Sequence, residues 1–229
     1  MKRFTLIFLV IAAAELLAIY NNFMYPWLEY ISKPLIVLSL IILLLQQTKG
    51  MNNRFKRWIL IALFFSWLGD ILLMFTEGNE NFFLLGLVSF LTSHIFYIVA
   101  FTVPVHKPFD VPLYKKHTWL MILPYAYAFY IFSELKGDLG DLALPVLIYV
   151  AVISTMLAVA MNRYGKVNTS SYNWILFGAL AFVASDSILA IDKFHHDVDY
   201  GRYLIMLTYM FAQFSITRGA IQQLKEYSA

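Results

Sequence analysis

The length of its apolar runs is what most limits how this chain can fold. They form eight blocks of about 17–23 residues, the length a helix needs to cross a hydrocarbon core roughly 30 Å thick at ~1.5 Å per residue. The blocks run from Phe4 to Tyr20, Trp27 to Gln46, Arg57 to Phe75, Asn81 to Val103, Thr118 to Ser133, Leu142 to Met161, Tyr172 to Ile191 and Tyr203 to Ile221. Lipid offers the backbone no hydrogen-bond partner, so each block has to bond internally as a helix. The expected fold is all-α, a polytopic bundle of eight transmembrane helices. Pro124 makes the fifth block the least suited to an unbroken helix. The longest connection, from Pro104 to His117, has fourteen residues, so residues 1–229 read as a single integral-membrane domain. Composition agrees: 61% of residues are hydrophobic and 14% charged, against about 45–50% and 25% in soluble domains. Lys2, Arg3 and the Ala12–Ala14 run resemble a signal peptide, but Glu15 and the following LLAIY prolong the block, which is read as a retained helix.

The distribution of charge sets the expected orientation. With the N-terminus inside, the inner segments carry Lys2, Arg3, Lys49, Arg54, Lys56, Arg57, Lys107, Lys115, Lys116, Arg163, Lys166, Arg218 and Lys225. That is thirteen of the seventeen Lys and Arg. Lys33, Lys136, Lys193 and Arg202 fall on the other side. This bias is the positive-inside pattern, so both termini are expected to be cytoplasmic, in the cell membrane if the chain is prokaryotic. The basic loops are read as topology signals, with no nucleic-acid partner and no obligate protein partner expected. Cysteine is absent, which excludes disulfides and thiolate chemistry.

Three acids lie more than one helical turn inside the blocks: Glu15, Asp70 and Asp186. Each costs at least about 2.5–3.5 kcal/mol at a bilayer centre, so such groups face a partner or a watery cavity. Asp70 and Asp186 lie about five residues short of the outer ends of the third and seventh blocks, roughly 7–8 Å deep, and belong at one level. Lys33, followed by the helix-disturbing Pro34, enters the second block to a similar depth. Tyr209 and Gln213, one turn apart on the eighth block, and Tyr149 on the sixth reach it too. His94 and Tyr97 lie deeper on the fourth. The pattern is that of a cavity in the outer half of the bundle. A buried ion pair between Lys33 and one aspartate is the purely structural alternative, and His94 has one as a core histidine satisfied by Ser93 or a carbonyl. Glu15 is expected to line the cavity or face a polar neighbour. SWLGDILLM and VASDSILAI each place a small residue, Gly69 or Ser185, before the aspartate, at an offset of 116 residues. That offset hints at a four-plus-four duplication.

The segments SKPLIVL (32–38), WLGDILLM (67–74), GLVSFLTSHIFYIVAF (86–101), PVLIYV (145–150), GALAFVASDSILAIDKF (178–194) and YMFAQFSI (209–216) resemble, in order and spacing, the YhhN family of eight-helix membrane proteins. Its characterised animal members are lysoplasmalogenases. The resemblance implies hydrolysis of the vinyl-ether bond of a lysoplasmalogen, releasing a fatty aldehyde and glycerophosphoethanolamine or glycerophosphocholine. It maps the family's two membrane aspartates onto Asp70 and Asp186, its Lys-Pro element onto Lys33 and Pro34, and its His and Tyr onto His94 and Tyr97.

That chemistry suits the residues. An enol ether hydrolyses by slow protonation of its β-carbon, and water captures the resulting oxocarbenium ion. Desolvation disfavours the charged form of a carboxyl, and a second carboxylate can stabilise the cation and activate the water. Asp70 and Asp186 are the expected catalytic pair. Lys33, His94, Tyr97, Tyr149, Ser185, Tyr209 and Gln213 are expected to bind or orient the lysophospholipid, with membrane lipids around them. Two rivals use the same groups: a metal-dependent hydrolase built on Asp70, Asp186 and His94, and a proton-coupled transporter. Zinc catalysis favours several histidines and only one lies in a block, so no metal is expected. No nucleotide loop or dinucleotide fingerprint is present, and no organic cofactor is expected.

Overall fold

The computed structural model describes residues 2–20, 26–76, 78–103 and 113–226. Those residues form helices and turns without strands. The helices are α1 (Lys2–Tyr20), α2 (Pro26–Gln47), α3 (Arg54–Leu73), α4 (Asn81–Thr102), the short α5 (Leu113–Lys116), α6 (Leu123–Leu135), α7 (Ala143–Met161), α8 (Thr169–Phe194) and α9 (Gly201–Glu226). Five stretches are long and apolar enough to cross a membrane: Trp27–Gln47, Asn81–Thr102, Gly140–Met161, Thr169–Phe194 and Gly201–Glu226. Phe4–Tyr20 is apolar but shorter. The chain is accordingly a multi-pass membrane protein.

Helix ends follow local chemistry. Asn53 opens α3 by accepting a hydrogen bond from the Lys56 amide at 2.9 Å, and Asn168 opens α8 through the Ser171 amide at 2.7 Å. The fifth apolar block departs from an uninterrupted helix. Thr118–Ile122 is a 3₁₀ turn, and α6 begins only at Leu123, with Pro124 in its first turn. A proline there loses no intrahelical bond, because the first amides of a helix have no partner. Pro34, by contrast, lies inside α2, which continues through it.

The main core joins α1, α2, α3, α4, α7, α8 and α9. α6 packs at the edge, where Ile131 and Leu135 meet Val146 of α7 and the end of α8. The two most extensive pairings are α3 with α4 and α8 with α9. Small and hydroxylated residues hold both seams, as expected where lipid supplies no hydrophobic drive between helices. Ser93 Oγ donates to the Ala62 carbonyl at 2.8 Å and Ser89 Oγ to that of Phe65 at 2.7 Å, tying α4 to α3. Across α8 and α9, Ser171 Oγ donates to the Gly219 carbonyl at 2.8 Å.

Gly178 shows how close this second seam is. A Cβ there would lie 2.9 Å from both the Ala212 carbonyl oxygen and the Ile216 amide nitrogen, backbone atoms that cannot turn aside. Gly178→Val should therefore force the helices apart, at a cost of about 1–3 kcal/mol, read as a lower thermal unfolding midpoint of the detergent-purified protein.

Candidate active site

Because α3 pairs with α4 and α8 with α9, both aspartates turn toward the bundle interior. Asp70 and Asp186 line one cavity of about 510 Å³, together with Tyr149 of α7 and Tyr209 of α9. Apolar side chains, among them Phe83, Leu87 and Phe90 of α4 and Val183 and Leu189 of α8, form most of the remaining wall.

The two carboxyls have different surroundings. Asp70 is 2% exposed, and its Oδ2 accepts one hydrogen bond, from the Tyr209 hydroxyl at 2.7 Å. Its side chain forms no ion pair among the described residues. Asp186 keeps 13% of its side chain accessible. Its Oδ2 accepts from the Tyr149 hydroxyl at 2.5 Å and lies 3.1 Å from His94 Nε2. His94 Nε2 is also 3.0 Å from the Tyr149 oxygen. Since the tyrosine proton is directed to Asp186, His94 Nε2 faces only acceptors, which places the ring proton on that nitrogen. His94 Nδ1 is buried with no hydrogen-bond partner among the described residues.

The support is crossed between the helix pairs. Asp70 on α3 is held from α9, and Asp186 on α8 is held from α4. Behind the wall, the Tyr97 hydroxyl of α4 donates to Gln213 Oε1 of α9 at 2.7 Å. Those two residues are 116 positions apart, the same offset that separates the aspartates. Phe182 fills the centre, its ring edge-on to His94 at 4.6 Å, to Tyr209 at 5.6 Å and to Phe90 at 6.4 Å.

Most of the expected residues converge, but not all act as neighbours. Tyr149 and Tyr209 touch the aspartates, and His94 touches Asp186. Tyr97 and Gln213 form a buried pair outside the cavity wall. Ser185 lines the cavity while its Oγ donates to the Ile205 carbonyl at 3.0 Å, joining α8 to α9. Lys33 lines the cavity as well, yet its ion pair is with Glu29, at 3.6 Å, and not with an aspartate. Glu29 is one turn away on α2, so the local partner is reached without bringing the charge deeper. Glu15 does face a polar neighbour: it is fully buried and accepts from Ser32 Oγ at 2.5 Å. The histidine alternative of bonding to Ser93 is not realised, because Ser93 bonds Ser66 Oγ at 2.7 Å and the Ala62 carbonyl.

Sequence reasoning missed the rim. Glu29 also accepts from Arg202 at 2.7 Å, bridging α2 to α9, and Lys193 and Asp192 complete the polar end of the same cavity. Residue spacing carried a signal for it, since Lys193 follows Asp186, and Tyr209 follows Arg202, by seven residues in each case. On the lateral wall the Tyr127 hydroxyl of α6 donates to Ser187 Oγ of α8 at 3.0 Å. No group of three His, Asp or Glu side chains suited to a metal ion occurs among the described residues. The site can therefore offer one buried carboxyl with a single donor and one carboxyl held by two donors, both facing the same space.

The YhhN family model matches residues 28–220. Lysoplasmalogenase TMEM86A of Bos taurus is 30% identical over 204 residues, 86% of this chain and 79% of that one. Lysoplasmalogenase TMEM86B of Sus scrofa is 30% identical over 200 residues, 87% and 78% of the two chains. Lysoplasmalogenase TMEM86A of Homo sapiens is 31% identical over 168 residues, 72% of this chain and 65% of that one. No solved structure matches the chain. With the family model covering most of its length, and the cavity built from the helices it spans, the chain belongs to the YhhN family.

Proposed function

We propose that this protein is a membrane hydrolase that cleaves the vinyl-ether bond of lysoplasmalogens by acid and base catalysis from Asp70 and Asp186. The observation that carries the reading is the meeting of the two carboxyls in one largely apolar cavity. Lysoplasmalogenase relatives supply the substrate class.

The roles follow from the surroundings. Asp70, buried and met by one neutral donor, is the acid: its proton goes to the β-carbon of the vinyl ether, and the C=C electron pair forms the new C–H bond. The α-carbon becomes an oxocarbenium ion. Asp186, with donors from Tyr149 and His94 on one oxygen, is the carboxylate that faces this cation and takes a proton from the attacking water. The hemiacetal then collapses: its hydroxyl gives up a proton as the C=O forms, the C–O bond breaks, and Asp186 returns the proton it took from water to the departing oxygen, leaving a fatty aldehyde and a glycerophospholipid head with a free hydroxyl. The proton released by the hydroxyl replaces the one Asp70 gave to carbon, so both carboxyls end as they began.

In this reading the chain crosses the membrane eight times with both termini cytoplasmic. The fifth crossing combines the 3₁₀ turn at Thr118–Ile122 with α6, about 10 Å plus about 20 Å at their respective rises, enough for one hydrocarbon core. Lys33, Lys193 and Arg202 then stand at the outer end of the cavity.

The test is a panel of lysolipids carrying vinyl-ether, alkyl-ether and ester chains, given to purified protein. Only the vinyl-ether members should release aldehyde together with head group. Ester cleavage with no aldehyde from any vinyl ether would remove the proposal.

A further inference from the structure

The polar rim carries a second inference, which rests on the vinyl-ether reading and specifies how its substrate is held. The geometry points to a binding site for the phosphodiester of the lysophospholipid head group, formed by Lys193, Arg202 and Lys33.

All three cations line the cavity that contains the aspartates, and they come from three different helices. Lys193 lies in the last turn of α8 and Arg202 in the first turn of α9. The turn between them is fixed: Asp192 Oδ1 accepts from the Val198 amide at 2.9 Å, and a Cβ on Gly201 would stand 2.6 Å from that oxygen. Asp192 is thus committed to the turn and positions both cations on one edge. Glu29 holds the other two, Lys33 at 3.6 Å and Arg202 at 2.7 Å. Lys193 has no carboxylate partner among the described residues, and its Nζ rests 5.2 Å from the Phe83 ring centre. Three cations against the carboxylates of Glu29 and Asp192 leave one positive charge at the rim, which matches the single negative charge of a phosphodiester.

Spacing agrees with charge. Lys193 is seven residues beyond Asp186 on α8, and Arg202 is seven residues before Tyr209 on α9. Seven residues are nearly two turns, returning to the same helix face about 10 Å away. In a lysoplasmalogen the phosphorus and the vinyl β-carbon are separated by seven bonds, an extended reach of roughly 9 Å with bonds near ~1.5 Å. A phosphate seated at the cations therefore delivers the reacting carbon to the level of the carboxyls. The aliphatic chain continues into the apolar wall beyond.

The test separates head group from chain. A saturated 1-alkyl lysophosphatidylethanolamine, which has no vinyl ether to cleave, and a 1-alkylglycerol lacking phosphate are titrated onto the full-length protein in detergent, with inorganic phosphate as a third probe. Lys193→Gln and Arg202→Gln should each weaken the phospholipid about tenfold, the loss of one charge-assisted contact, and leave the alkylglycerol within about twofold. Unchanged affinity for the phospholipid, or equal weakening of both lipids, overturns the site. So does inorganic phosphate that binds in a Lys193-dependent way without competing with the phospholipid, which marks a free-anion site. Phosphate-dependent lipid binding without aldehyde release from a vinyl-ether substrate would strike the proposed reaction alone.

Discussion

Asp70→Asn should lower kcat for vinyl-ether hydrolysis by about 10²–10⁴-fold, the range for losing a general acid, with the bundle still folded. The amide has nearly the same shape as the carboxyl, and its oxygen can still accept from the Tyr209 hydroxyl that now stands at 2.7 Å. What it lacks is a proton it can give to carbon. Aldehyde release measures the loss, and an unfolding midpoint within a few degrees of the parent checks that packing survives. In heavy water the parent enzyme should place one deuterium on the aldehyde carbon next to the carbonyl, since that carbon is the one protonated. Undiminished turnover by the asparagine variant would rule out Asp70 as the acid.

Asp186→Asn should also be severe, about 10²–10³-fold in kcat, comparable with removing a group aimed at developing charge. Here too the hydrogen bonds can persist, because an asparagine oxygen accepts from Tyr149 and His94 as the carboxylate does. The lost item is the negative charge facing the oxocarbenium ion. Affinity for a non-cleavable alkyl-ether analogue should stay within about twofold, because a saturated ether develops no positive charge. Weakened binding with intact kcat would instead assign Asp186 to holding the lipid.

The difference between the two sites was not legible from residue spacing. Helix rise placed Asp70 and Asp186 at a common depth, and one cavity does contain both. Depth along separate helices says nothing of which face meets which neighbour. That Tyr209 serves Asp70 while Tyr149 and His94 serve Asp186 depends on the crossing of the α3–α4 and α8–α9 pairs. Lys33 illustrates the same limit: its depth fitted an aspartate partner, but Glu29 on its own helix lies closer. Glu29, Lys193 and Arg202 were passed over because charges near the ends of apolar blocks ordinarily meet water, and only the folded chain gathers them on one rim. Pro124 gave a readable warning of a broken fifth block, though its place in the first turn of α6 was decided by the preceding 3₁₀ turn.

The sequence by itself determined that the chain is helical and where its long apolar helices lie, because a backbone without water must bond to itself along an apolar run. It also determined that a few ionisable groups are carried into that setting, since their types and depths are fixed once the runs are known. Tertiary structure alone decided which helix faces touch, which hydroxyls reach which carboxyl, and that one cavity joins the rim to the aspartates. The reason is that helix pairing in lipid rests on close packing at small residues such as Gly178 and on a handful of hydrogen bonds. Those contacts depend on rotation about each helix axis, a variable that hydropathy along the chain constrains only loosely.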